Sequence, residues 1–242
     1  MSRRPAPALI GGATGQGSLP ANSTAPHRPL LLVCGASATV NRLNGHPHLG
    51  SLVQPRSGNR IDAIATSGRY WAADNDALAG IDPDRYMTML DQIAATDTRR
   101  LLFVTVPDCV TMTEAGPVGD WPGTLVLFAS WRRALTKRKL PAAIVLQDGA
   151  TIDTVPWDDI QAVFVGGSDT FKEGEAAAAI LDEAASRGIW RHVGRINTER
   201  RLRLLDVTGF DSFDGTQFSR FPDTYIPQWL ERLTHKQEGL GL

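Results

Sequence analysis

Ala142-Ala-Ile-Val-Leu-Gln-Asp-Gly149 is an unbroken apolar run that closes on polar residues and turns at a glycine. Continuous rather than alternating hydrophobicity marks a strand buried on both faces, as in a parallel sheet wrapped by helices. The pattern recurs on either side of it, at Leu30–Cys34, Tyr70–Asp74 and Leu101–Val106 before, and at Ala162–Val165, Trp190–Val193 and Phe210–Phe213 after. Helix-like stretches fill the intervals at 83–95, 123–138, 174–187, 198–206 and 226–235. Pro83 suits a first helical turn, Gly188 stops the alanine-rich helix after Arg187, and Asn197 stands where an N-cap belongs. Such repetition builds either a doubly wound sheet or a (β/α)8 barrel. The polar residues decide between them. Asp74, Asp108, Gln147, Gly166-Gly167, Arg195 and Asp214 each end a different run, and barrel enzymes assemble their sites from strand ends in this way. An open sheet gathers its site at one switch point behind a glycine-rich loop, and Cys34-Gly-Ala-Ser37 is too weak to be that loop. The expected fold is therefore α/β, a compact and irregular (β/α)8 barrel. Seven strands are placed; the eighth is expected within residues 48–66 or near the C-terminus.

The chain has 242 residues and a formal net charge of −1, which suits one domain and excludes a globally basic nucleic-acid binder, though not a basic face. Residues 29–242 are read as that domain, and residues 1–28, rich in Ala, Pro, Gly and Ser, as a loosely structured lead-in without a signal-peptide core. Two cysteines, Cys34 and Cys109, make neither a disulfide framework nor a zinc pair, so no metal is expected and a reduced, cytoplasmic setting fits. No apolar run approaches the roughly 20 residues that cross a bilayer. His46 and His48 lack a third ligand and read as polar surface. Trp121, Trp131, Trp157 and Trp229 read as packing residues, His192 as a residue near the site, and Cys109 as a small buried one.

Chemistry is expected from the carboxylates. Asp211 and Asp214 are three apart in Phe210-Asp-Ser-Phe-Asp-Gly215, so a regular strand would send them to opposite faces. One would face the barrel mouth; the other would cap a turn or pair with an arginine. Carboxylates that converge in one pocket suit glycosyl chemistry, in which one attacks an anomeric carbon and another trades a proton with the leaving group. On carboxylates alone, glycosidase, aldolase-type and phosphate-handling barrels all stay open.

Several segments, in order and at similar spacing, resemble those of the tRNA-guanine (queuine) transglycosylases. Gly209-Phe-Asp-Ser-Phe-Asp214 resembles the family's Gly-Val-Asp-Met-Phe-Asp, Ala143-Ile-Val-Leu-Gln-Asp-Gly149 its Ile-Val-Gln-Gly-Gly, and Val165-Gly-Gly-Ser168 its Gly-Gly-Leu loop. Val106-Pro-Asp-Cys109 resembles the strand end whose aspartate reads guanine, and Ala72-Ala-Asp-Asn-Asp76 the Asp-Ser-Gly-Gly loop. The resemblance implies that Asp214 attacks the anomeric carbon and that Asp74 handles the proton. It implies that Asp108 accepts from the guanine donors, while Gln147, Gly166, Gly167 and Ser168 satisfy the remaining edge. Asp76 stands where the family has glycine, which leaves the acid/base open between Asp74 and Asp76.

The family's tRNA enzymes carry a Cys3His zinc subdomain after the nucleophile, and this chain has no such cysteines. A zinc-free chain with His192-Val-Gly-Arg-Ile-Asn197 before Asp211-Ser-Phe-Asp-Gly-Thr216 is similar to the DNA-modifying branch found in bacteriophages and bacterial islands. The resemblance thus implies exchange of guanine in DNA for a 7-deazaguanine, without a cofactor, by a monomer in the (host) cytoplasm, and leaves room for an accessory protein. RNA as acceptor, simple release of the base, and a non-catalytic barrel that binds nucleic acid or protein are the alternatives. Two basic clusters are candidate phosphate contacts: Arg132, Arg133, Lys137, Arg138 and Lys139, and Arg191, Arg195, Arg200, Arg201 and Arg203. Each also reads as a solvated helix face with i,i+4 pairs.

Overall fold

A computed structural model describes residues 29–35, 37–114, 116–206 and 209–235, the side chains of 203–206 and 235 excepted. The predicted lead-in and the side chain of Arg203 lie outside the described residues. The strands are β1 (Leu30–Cys34), β2 (Leu49–Val53), β3 (Trp71–Ala73), β4 (Leu101–Thr105), β5 (Val110–Thr113), β6 (Gly116–Gly119), β7 (Ala142–Leu146), β8 (Ala162–Val165), β9 (Trp190–Val193) and β10 (Ser212–Phe213). β5 and β6 form an antiparallel hairpin; the other eight are parallel and close into a barrel in chain order, with β10 beside β1. The eighth strand is β2, within the first of the two windows expected for it. The fold is a (β/α)8 barrel.

Alternation fills two cores from the same strands. Leu30, Leu32, Leu52, Ala72, Ala143, Val145, Ala162, Phe164 and Trp190 point into the barrel and pack as one cluster. Their neighbours, such as Leu31, Val33, Val53, Ala73, Ile144, Leu146, Val163, Val165 and Val193, point outward and pack under the helices. Both faces are buried, which is why the runs read as continuous hydrophobicity. One irregularity interrupts the rule. Trp71 pairs with Leu101 but Ala73 with Val104, so β4 holds one extra residue, and Leu102 and Phe103 both join the inner cluster beside the small Ala72.

The outer layer is α1 (Ala38–Arg42), α2 (Ile61–Thr66), α3 (Pro83–Ala94), α4 (Trp121–Lys137), α5 (Asp169–Lys172), α6 (Glu175–Ser186), α7 (Glu199–Asp206), α8 (Thr216–Arg220) and α9 (Pro222–His235). Between β7 and β8 the crossover holds two short 3-10 turns, Ile152–Thr154 and Trp157–Asp159, and no α-helix. Pro83 and Gly188 act as expected: Asp82 caps α3 ahead of the proline, and Gly188, at φ 68°, follows the end of α6. Three boundaries differ from expectation. α4 starts at Trp121 because the Asp120 carboxylate accepts from the Gly123 N–H and Pro122 fits the first turn. The C-terminal helix starts at Pro222, not 226, and carries Pro227 inside it. Thr198, not Asn197, caps α7, its hydroxyl accepting from the Arg201 N–H at 3.2 Å.

Ala143 is fully buried in the inner cluster, which also holds Phe103, Phe164 and Trp190. Ala143→Leu is expected to cost about 1–3 kcal/mol by overpacking, read as a lower urea midpoint at unchanged slope.

Candidate active site at the barrel mouth

One step beyond the last apolar layer, the inward positions become polar. Cys34, Gln54, Asp74, Gln147, Gly166 and Asp214 follow inward-facing residues of six strands, and together with Asp108 they line one cavity of about 330 Å³. The cavity lies outside the carboxyl ends of the strands, where barrel enzymes place their chemistry. The hairpin β5–β6 supplies one wall through Val110, Pro117 and Gly119. Gly119 lies directly against the Gln147 side chain: a Cβ there would stand 2.0 Å from Gln147 Oε1.

Asp108 is the most enclosed carboxylate of the group, at 6% exposure. Asn75 Nδ2 donates to one of its oxygens at 2.8 Å, and Gln147 Nε2 donates to the other. Asn75 is fixed in turn, donating to the Val106 carbonyl at 2.9 Å and accepting from the Ala77 N–H at 2.8 Å. Burial pushes the Asp108 carboxyl up to about 6, with the Asp74 charge adding to the rise and the two amide donors opposing it. Asp74 is also held above the usual carboxylate range by burial; the Gln54 hydrogen bond opposes this and the Asp214 charge adds to it. Its oxygens accept from Gln54 Nε2 at 2.8 Å, from the Asn75 N–H at 2.9 Å and from Thr105 Oγ1 at 3.3 Å. Gln54 in turn accepts from the Cys34 thiol at 2.9 Å. Burial and the Asp74, Asp214 and Asp76 charges push that thiol up to about 12, a direction that favours the protonated donor over the thiolate.

Asp214 stands across the mouth. Arg195 donates its backbone N–H to Oδ1 at 3.0 Å, and His192 Nε2 lies 3.0 Å from Oδ2. Asp211 takes the opposite face, as the strand alternation requires, and accepts from Arg191 Nε and Nη2, both at 3.0 Å. Asp76 also lines the cavity, but its carboxylate is engaged by Arg56 at 3.0 Å and its backbone is left-handed at φ 62°. Of the two acid/base candidates, Asp76 is engaged by an arginine, and Asp74 by Gln54, the Asn75 N–H and Thr105.

The structure brings Asp74, Asp76, Asp108, Gln147, Gly166, Gly167, Arg195 and Asp214 together around the cavity. Ser168 does not join them. Its N–H and hydroxyl both donate to Asp148, the hydroxyl accepts from the Phe171 N–H, and the residue is exposed as the cap of α5. Arg191 is spent on Asp211 on the outer face of β9, away from the mouth. Arg132 and Arg133 ride the outer helix α4, whose last residue Lys137 and following Arg138 precede β7 at the opposite end of the barrel, and Arg132 pairs with Asp159. Arg200 and Arg201 begin α7 beside the mouth. Arg201 is held by Asp169 and Glu173, and Arg200 lies 3.6 Å from the same Glu173 with a side chain that is 73% exposed. Lys172 is buried behind them, and burial together with the Arg195 and Arg201 charges pulls its amine down to about 8.

Sequence reasoning passed over Asn75, Gln54, Cys34 and the hairpin. Asn75 was visible between Asp74 and Asp76, but nothing in its sequence position revealed an inward turn onto Asp108. The hairpin had a signal in β-branched residues flanking Glu114-Ala-Gly116. Among the described residues, no group of three or more His, Cys, Asp or Glu side chains is placed to hold a metal ion, and no helix is long and apolar enough to cross a membrane. No family model and no curated protein matches the chain.

The Asp108 environment makes a titration testable. Its carboxyl signal by NMR should titrate near pH 6, and Asn75→Ala should raise that midpoint, because a donor to the charged form is lost. The native group binds its proton more tightly than the unfolded one, so the stability it contributes is fullest below about pH 4 and is lost as pH rises through about 6.

Proposed function

We propose that this protein exchanges guanine in DNA for a 7-deazaguanine base through a covalent glycosyl bond to Asp214. The observation that carries the reading is the convergence of Asp214, Asp74, Asp108 and Gln147, from separate strands, on one cavity of about 330 Å³. That size lies within the roughly 300–1,000 Å³ of small-molecule sites. The segment resemblance assigns the same four residues to nucleophile, acid/base and base recognition.

A carboxylate oxygen of Asp214 attacks the anomeric carbon, and the bond from that carbon to the purine nitrogen breaks. Its electron pair leaves with guanine, which takes a proton from Asp74. The raised pKa of Asp74 suits a group that starts out holding that proton. The incoming base returns a proton to Asp74, attacks the same carbon and expels the Asp214 oxygen. Asp108 accepts from the two guanine donors, and the Gln147 amide with the Gly166-Gly167 backbone meets the rest of the edge. A pocket that pairs every polar edge rejects purines lacking those groups. The target nucleotide must leave the stack or arrive single-stranded to reach a recessed site.

Incubation with guanine-containing single-stranded DNA and labelled guanine or 7-deazaguanine tests the proposal. Label should enter the DNA, and Asp214→Asn should lose on the order of 10³-fold or more of the rate. An Asp214→Asn variant as active as the wild type overturns the mechanism. Incorporation into RNA alone would redirect the substrate, and release of guanine without incorporation would make the protein a glycosylase.

For the nucleic-acid contacts, the exposed Arg200 beside the mouth is the expected phosphate ligand and Arg133, on the far helix, is not. Arg200→Ala should weaken single-stranded DNA binding and reduce the salt slope by about 1, with Arg133→Ala unchanged.

A further inference from the structure

We infer that His192 is a positioning residue for Asp214, locked as the Nε2–H tautomer by a buried hydrogen-bond row that begins at Trp190. The inference rests on the reading of Asp214 as nucleophile and adds residues that the segment resemblance leaves without a role. Trp190 and His192 face inward from β9, and Ser212 and Asp214 face inward at β10, with Ser212 directly opposite His192 in the strand register. Trp190 Nε1 donates to Ser212 Oγ at 2.9 Å, Ser212 Oγ lies 2.9 Å from His192 Nδ1, and His192 Nε2 lies 3.0 Å from Asp214 Oδ2. His192 and Ser212 are both fully buried.

The chemistry of the two ends sets the direction of the row. An indole N–H only donates, and a carboxylate only accepts. The Asp214 carboxylate needs a donor, which puts the proton of a singly protonated ring on Nε2 and leaves Nδ1 a bare acceptor; the Ser212 hydroxyl, which can accept from Trp190 and donate at once, then gives its own hydrogen to Nδ1. The other tautomer would set a nitrogen lone pair against a carboxylate oxygen 3.0 Å away. The ring has little freedom to turn, because it packs 4.4 Å from the Phe164 ring and 5.2 Å from the Phe103 ring. Gly194 allows this approach, since a Cβ there would stand 2.6 Å from Phe164 Cε1. With the Arg195 N–H on the other oxygen, Asp214 is held from two directions before any substrate arrives. A misplacement of about 1 Å in a reacting group costs on the order of 10²-fold in rate, so a fixed donor on a nucleophilic carboxylate is felt in turnover.

Two measurements test this, the first independent of activity. In ¹⁵N spectra of histidine-labelled protein, with His192→Gln identifying the signal, His192 should show a protonated Nε2 and a bare Nδ1 near neutral pH. A protonated Nδ1 overturns the row, whatever reaction the protein performs. The second is the base-exchange assay. His192→Phe keeps a ring between the two phenylalanines and removes the donor; kcat should fall about 10–100-fold with KM for the base within about twofold. His192→Gln, which can place an amide N–H near Nε2, should recover most of that loss. An unchanged kcat in the phenylalanine variant, or no recovery with glutamine, overturns the positioning role. Should the phenylalanine variant fail to fold, Ser212→Ala replaces it: loss of the single tautomer and a lower kcat are expected, and retention of both overturns the inference. A wild-type protein that exchanges no base refutes the proposed function, while the ¹⁵N result still decides the row.

Discussion

Closure of β10 onto β1 is the constraint on which everything else in the molecule depends. Once the sheet closes, each strand has an inside and an outside, and the two-residue period assigns every side chain to one of them. Inward positions are apolar for most of each strand and polar at its carboxyl end. Asp74 and Gln147 need no special loop to reach the site, because their direction is inherited from the residues below them, whereas Asp76 and Asp108 reach it from the loops beyond β3 and β4. Asp74 stands two residues beyond Ala72, Gln147 two beyond Val145, and Gly166 two beyond Phe164, with all three lower residues in the inner cluster. The same rule sends Asp211 outward to Arg191, and so separates two aspartates that look equivalent in sequence.

Crowding carboxylates over an apolar plug has an electrostatic consequence. Asp74 and Asp108 are both pushed toward their neutral forms by burial, and each charge raises the cost of its neighbours. The amides oppose this. Asn75, Gln147 and Gln54 are neutral, so they stabilise carboxylates without bringing a cation into the cavity. Asp76, by contrast, has Arg56, and Asp211 has Arg191. The carboxylates with arginine partners are thereby set apart from Asp74 and Asp108, whose side-chain partners are amides and a hydroxyl.

Much of the barrel was legible in the sequence because its strands are buried on both faces and announce themselves as unbroken apolar runs. β2 was the exception: Leu49-Gly-Ser-Leu-Val53 contains glycine and serine, one fitted against Leu32 and Tyr70 and the other directed away from the plug, so its hydrophobicity is diluted. Strand-end residues were legible for the same reason as the strands. What stayed hidden depends on contacts across the mouth. That Asn75 turns onto Asp108, that Asp148 occupies the Ser168 N–H, and that Asp169 and Glu173 hold Arg201 are facts of juxtaposition between separate loops. The basic clusters fall at different ends of the barrel for a related reason. Charge density along the chain carries no information about which end of a barrel a helix terminus reaches.

The β5–β6 hairpin is clasped at its base rather than along its length. Asp120 N–H donates to the Cys109 carbonyl at 2.9 Å, and the Cys109 N–H donates to Thr124 Oγ1 at 3.0 Å, while Met112 and Val118 stand exposed. Its root, through Gly119, lies against Gln147, which donates to Asp108. The hairpin is thus a guard riveted beside a fixed jaw: its outer part is open to lengthening, shortening or resurfacing without disturbing the grip behind it. The exposed Met112 and Val118 are where the mouth can be resurfaced while Gln147 keeps its hold on Asp108.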